Sequence, residues 1–242
     1  VSSYAYHGTS AAVAAVSPNL GDAVKLSPFV RMVSLPGPEH VPDDQAADFF
    51  EAQIRSAIQD LNRRGIGVAA LLVDSIFSSD GVWVDPPGFI AGGVAAVREA
   101  GGLFIADEVQ PGFGRTGAHM WGFERHGVVP DLVTLGKPMG NGFPIGAVVG
   151  RKGPMERFGA TARYSNTFAG NTVGIATADA VLTILKRDRI PQNALAMGQR
   201  LRTGLEKMAK RHDGIRAIRN AGLFFGVDMG PEGTPATRRR AL

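Results

Sequence analysis

GLFIADEVQPGFGRTG (residues 102–117) and DLVTLGKPMGNGFPIGAVVG (residues 131–150) together decide the fold of this chain. Each opens on a short, continuous apolar run and then breaks into a glycine-rich loop. Runs of that length without polar alternation are what strands buried on both faces look like. VAALLVD (68–74) is a further run of the same kind, and GFIAGGVAAVREA (88–100), between it and GLFIAD (102–107), is patterned like a helix. Strand, helix, strand in that order predicts a parallel sheet with crossover helices. The expected fold class is α/β, a mostly parallel sheet with helices on both faces.

Outward from this centre, Phe50, Ile54, Ala57, Ile58 and Leu61 recur at helical spacing between Asp43 and Arg64, with PDD as start signal and Gly65 as stop. DLVTLG (131–136) and IGAVVG (145–150) read as two more strands, followed by helices over 171–187 and 192–212. GLFFGVDMG (222–230) returns to strand character and opens a smaller α+β domain. The expected division is 1–190 for a large domain and 191–242 for a linking helix and the start of the small one. The chain begins at Val1, not Met, just ahead of the segment YAYHG (4–8), and is expected to be an internal piece of a longer protein.

Composition narrows the function. The 242 residues are 44% hydrophobic and 20% charged, ordinary for a globular chain. Cysteine is absent, which removes disulfides, thiolate catalysis and thiolate-ligated zinc, and the cytoplasm is the expected location. The net charge of +4 is modest, and the one dense basic run, TRRRAL (237–242), has no interleaved aromatics, so no nucleic-acid partner is expected. An anionic substrate or cofactor phosphate suits the charge better. VAALLV is far short of the ~20 apolar residues that cross a bilayer, and no membrane association is expected. His7, His40, His119, His126 and His212 show no metal-ligand spacing and read as loop or surface residues, with no metal site expected.

Two residues carry the chemistry. Lys137 is flanked by Gly136, Pro138, Gly140, Gly142 and Pro144, a tight, preset backbone built around one long amine. Asp107 closes the apolar run upstream, and its neighbour Glu108 must face the opposite way, because side chains alternate across a strand. A lysine that holds an aldehyde as a Schiff base and a carboxylate that keeps a pyridine nitrogen protonated are the two groups that pyridoxal phosphate chemistry requires. GFGRTG (112–117) also matches G-x-G-x-x-G. EVQP separates it from the strand, however, and glycines and a proline interrupt AHMWGFERHGVVPD (118–131), so a dinucleotide site is not expected. Tyr6-His7-Gly8 sets an aromatic beside a glycine, where a flat ring could stack.

YHG, IADEVQ-x-GFGRTG, PDLVTLGK, GNGFPIGAVV and TFAGN occur in this order over nearly the whole chain, and in this the chain resembles the class III pyridoxal-phosphate aminotransferases of fold type I. The resemblance implies pyridoxal 5'-phosphate as cofactor, with Lys137 as its covalent tether and Asp107 on its pyridine nitrogen. It further implies Tyr6 stacked on one ring face, Val109 packed on the other, Gln110 at the ring hydroxyl, and Thr167 on the phosphate of a neighbouring subunit. A homodimer with shared sites follows, acting on small-molecule amines and keto acids. Asp74-Ser75 departs from the Glu-Pro pair common in the family, and Phe77 stands where a glutamine is usual. These three residues are expected to tune the substrate. Glu-Ser at that place occurs in amino-alcohol phosphate lyases of the family, so a lyase or aminomutase is the alternative to a transaminase, and a non-catalytic remnant of the fold is the third reading.

Overall fold

The structure is a computed structural model that describes residues 1–21, 23–37 and 41–230; His40 and TRRRAL lie outside these. Strands β1 (Ala70–Asp74), β2 (Leu103–Asp107), β3 (Leu132–Leu135) and β4 (Ala147–Gly150) form one sheet in sequential order. The first three are parallel, and β4 returns antiparallel to β3. This is the mostly parallel sheet that the apolar runs predict. Its register places Asp74 beside Asp107 and Asp107 beside Thr134, a row of polar side chains across the carboxyl ends of three strands.

A short helix, α1 (Ala11–Ala14), precedes α2 (Ala46–Arg63) and α3 (Ala91–Glu99). Phe50 and Ile54 of α2 meet Val94 and Val97 of α3 over Leu71, Val73, Phe104 and Ala106 of the sheet in one buried core. Each of the larger side chains contributes about 1.5–3 kcal/mol through removal from water. Phe50 also meets the rings of Phe77 and Phe89 edge-on, at centroid distances of 6.2 and 5.4 Å. Gly65, at φ 69°, ends α2 as expected.

After β4 come α4 (Lys152–Thr161), α5 (Thr172–Arg187) and α6 (Ile190–Ala209), then the hairpin of β5 (Ile215–Ala221) and β6 (Phe224–Met229). Asn171 caps α5 by accepting from the backbone N–H groups of Val173 and Gly174. Sequence reading missed α4 because it contains Gly153-Pro154; a proline in the first turn forfeits only an N–H that has no helical partner. It missed β5 because Arg216 and Arg219 break the apolar pattern.

The division expected at 190/191 falls where α5 passes into α6. A second core cluster joins the two sides: Ile76, Val82 and Val84 pack with Ala221 and Phe224 of the hairpin. Arg219 fastens the same junction. Its guanidinium lies 4.4 Å from the Trp83 ring, donates to the Gly81 carbonyl at 2.9 Å and forms a two-pronged pair with Asp228. On the other side of the hairpin, α6 runs so close to its turn that a Cβ on Gly198 would sit 2.0 Å from the Gly222 carbonyl oxygen. Only glycine permits that crossing. Among the described residues, no helix is long and apolar enough to cross a membrane.

Candidate active site

The carboxyl end of β2 sends Asp107 and Glu108 into different surroundings. Asp107 is 7% exposed, and its Oδ1 accepts from the Val109 N–H and the Thr134 hydroxyl, both at 3.1 Å. Its Oδ2 lies 2.6 Å from Nδ1 of His7. A carboxylate only accepts, so Nδ1 of His7 carries a proton. Its Nε2 is buried and, among the described residues, has no hydrogen-bond partner. Of about four lone-pair positions on a carboxylate, three are taken, and the open one belongs to Oδ2.

Lys137 begins a 3-10 turn, Lys137–Gly140, directly after β3. Val109 packs against the entry to this turn, its methyl carbons 3.4 and 3.5 Å from where a Cβ on Gly136 would lie. Val109, Gln110 and Lys137 line one open cleft of about 650 Å³, together with Arg115 and Asn141. Helix α5 packs against the lysine turn from behind. The structure thus joins His7, Asp107 and Val109 by hydrogen bonds, and Val109, Gln110 and Lys137 by a shared cleft. Tyr6, next to His7, is 38% exposed. Gly8 holds φ 126°, a conformation that favours glycine. Thr167 stands apart in an exposed turn outside the cleft, beside Phe168, which is 82% exposed.

The three residues expected to tune the substrate lie at the end of β1 and in the turn that follows it. Asp74 turns back on its own loop, accepting from the N–H groups of Ile76 and Ser78 at 3.0 Å each and from the Ser78 hydroxyl. Burial pushes its carboxyl up to about 6. Ser75 is buried and donates to Glu108 Oε1 at 2.6 Å. Phe77 is fully buried in the aromatic cluster of the main core, in a left-handed conformation at φ 51°. The chain leaves β1 through a tight turn that buries Ser75 and Phe77 and folds the half-buried Asp74 back on its own loop.

Glu108 is the hub of that interior. Besides Ser75, its carboxylate accepts from the N–H groups of Gly122 at 2.7 Å and Phe123 at 3.0 Å. It is completely buried, and burial outweighs the three donors, pushing its carboxyl up to about 7. His126, expected in a loop or at the surface, lies buried beside this cluster between the Gly88 N–H and the Ser75 carbonyl, and burial pushes its imidazole down to about 4. After GFGRTG comes a 3-10 turn at Gly122–His126, not the long helix of a dinucleotide site. Sequence reading also passed over Thr134, although it is the one polar residue inside LVTL, and Arg115, hidden in a motif read for its glycines.

A mostly parallel α/β sheet with a buried carboxylate at one strand end and a lysine in the loop after the next defines the class of protein. Comparison supplies the family. The family profile described as Aminotransferase class-III matches residues 1–241, and the chain belongs to that family. It is 36% identical over 237 residues to the alanine–glyoxylate aminotransferase 2-like protein of Drosophila melanogaster, covering 93% of this chain and 48% of that one. Among solved structures, a phospholyase from Arthrobacter in complex with phosphoethanolamine superposes with a TM-score of 0.89 at 38% identity, covering 97% of this chain and 56% of that one. A taurine:2-oxoglutarate aminotransferase from Bifidobacterium kashiwanohense, in complex with pyridoxal phosphate and glutamate, gives 0.82 at 26%, covering 93% and 53%. The chain spans about half the length of the relatives it matches.

Proposed function

We propose that the protein carrying this chain is a pyridoxal-phosphate-dependent aminotransferase that moves an amino group from an amine or ω-amino acid to a keto acid. The observation that carries this reading is the Asp107 carboxylate: nearly buried, fixed on three sides by His7, Val109 and Thr134, and open at one position of Oδ2. That is the chemistry a pyridine N–H requires of its partner, so the residues present fit the group. When bound, pyridoxal phosphate supplies an aldehyde that takes up an amine and a ring that draws electron density from the substrate carbon.

The side chains of this chain divide the remaining work. Lys137 Nζ holds the group and, once released, takes and returns the proton at the substrate carbon. Asp107 Oδ2 keeps a proton on the ring nitrogen, and His7 fixes the orientation of Asp107. Val109 and Tyr6 confine the ring, and Gln110 is the polar side chain for its hydroxyl. Thr167 serves the phosphate in a second copy of the chain; Phe168 and Val173, exposed beside it, and Val148 and Val149, exposed on β4, supply apolar surface for a homodimer.

A phospho-lyase acting on an amino-alcohol phosphate is the second reading. The observation that favours it is Ser75, whose hydroxyl bonds Glu108 where the family's proline has no donor. Dependence on a keto acid separates the two reactions. We expect product only when pyruvate or 2-oxoglutarate is supplied with the amine; release of product from phosphoethanolamine without any keto acid would put the lyase first. Borohydride reduction should fix the cofactor to the wild type and not to Lys137→Ala. Covalent cofactor on the variant would remove Lys137 from its role.

A further inference from the structure

The cleft that holds Lys137 carries a second cation with no assigned task. Arg115 lines it together with Gln110 and Asn141, and the far wall is apolar, from Leu223 and Phe224; among the described residues no carboxylate lines it. Among the described residues the Arg115 side chain has no hydrogen bond or ion pair, unlike Arg98, Arg125 and Arg219, which are paired with acids. Its backbone is the opposite of free. The Arg115 carbonyl accepts from the Leu223 N–H at 3.2 Å, and a Cβ on Gly222 would come within 2.7 Å of that carbonyl oxygen. On the other flank, Gly114 N–H donates to the Met120 carbonyl at 2.9 Å, and Phe113 packs edge-on to Trp121 with centroids 5.2 Å apart.

A rigid base under an unengaged guanidinium is how a protein presents a ligand-binding arginine, because the fork is then aimed without further ordering of the chain. Guanidinium offers five donors and no acceptor, in a plane that matches the paired oxygens of a carboxylate or phosphate. We propose that Arg115 binds the oxyanion of the amine substrate, a phosphate monoester or carboxylate, while Lys137 works on its amino-bearing carbon. This rests on the proposed function and narrows it, since the substrate is then an amine that carries its own anionic group. Leu223 and Phe224, from the hairpin, form the apolar side of the same cleft and give the chain between the two charged ends a dry wall.

The test compares wild type, Arg115→Ala and Arg115→Lys in the protein carrying this chain. Inorganic phosphate binding by titration calorimetry gives a readout independent of turnover. Half-saturation is then measured for phosphoethanolamine, β-alanine and the uncharged-tail amines ethanolamine and propylamine. We expect Arg115→Ala to weaken phosphate, phosphoethanolamine and β-alanine by about 10- to 100-fold, the worth of a charge-assisted hydrogen bond or two. Ethanolamine and propylamine should change less than about twofold, and Arg115→Lys should recover part of the loss. Phosphoethanolamine weakened alone would assign the site to phosphate esters, and β-alanine alone to carboxylates. Equal weakening of charged and uncharged amines, or loss of cofactor absorbance with unchanged amine preference, would overturn the proposal. A wild type that retains no cofactor but binds phosphate through Arg115 would refute the proposed function and leave this site standing.

Discussion

Asp107 and Glu108 are adjacent carboxylates at the end of β2, and the regions on the two sides of that strand end treat them in opposite ways. On one side Asp107 meets His7, Val109 and Thr134 and keeps one acceptor position of Oδ2 open. On the other, Glu108 is sealed among Ser75, Gly122 and Phe123, with no exposed surface. One group is held by neighbours and available to a ligand; the other ties three stretches of chain together. Burial alone therefore does not mark a catalytic carboxylate. What distinguishes Asp107 from Glu108 is the hydrogen-bonding position left unfilled on Oδ2.

The sealed side should lose stability when cut, with substrate choice unaltered. Phe77→Ala is expected to cost about 3–5 kcal/mol, read by urea unfolding, because it empties a fully buried aromatic site. A small loss with a changed amine preference would instead place Phe77 in contact with substrate.

Glu108 gives the next largest effect and sharpens it through pH. Its folded-state carboxyl sits near 7, above the 4.5 of an unperturbed glutamate, so between those values the folded protein binds more protons than the unfolded chain. The contribution of Glu108 to stability is accordingly full below 4.5 and lost as pH rises through 7. Glutamine does not titrate. The unfolding free energy of wild type minus that of Glu108→Gln should fall by about 3 kcal/mol across the window, followed by denaturant melts at several pH values. A constant difference would mean that Glu108 is charged throughout. Asp74, also raised, and His126, lowered, titrate in both proteins, and Asp74 enters that difference through its charge beside Glu108.

On the open side the smallest effect belongs to His7. His7→Gln removes one of the three hydrogen bonds to Asp107 and should slow turnover about tenfold, the value of one charge-assisted bond, with the fold unchanged by circular dichroism. No effect on turnover would leave Val109 and Thr134 as the only supports that matter.

The division between the two sides was partly legible in the sequence. Asp107 and Lys137 each interrupt an apolar run at a strand end, and alternation across a strand already separates Asp107 from Glu108. β1, β2 and β3 were legible because their apolar runs are continuous and too short for buried helices, and α2 because its apolar residues fall on one face. The fate of Phe77 was not, because an aromatic residue just past a strand looks the same in sequence whether it lines a pocket or fills a core; here a left-handed turn sends it into the core. His126 was missed for the same reason, since its partners, the Gly88 N–H and the Ser75 carbonyl, come from distant parts of the chain. Thr134 became meaningful only once strand register set it beside Asp107.

The most direct test sets the two carboxylates against each other in one assay. Turnover of the cofactor-loaded protein is measured for wild type, Asp107→Asn and Glu108→Gln at one pH, with each variant first shown to be folded. The account predicts a fall of at least about 100-fold for Asp107→Asn, where a preorganised charge is lost, and of no more than about threefold for Glu108→Gln. Near-native turnover in Asp107→Asn, or a larger loss in Glu108→Gln, would contradict it.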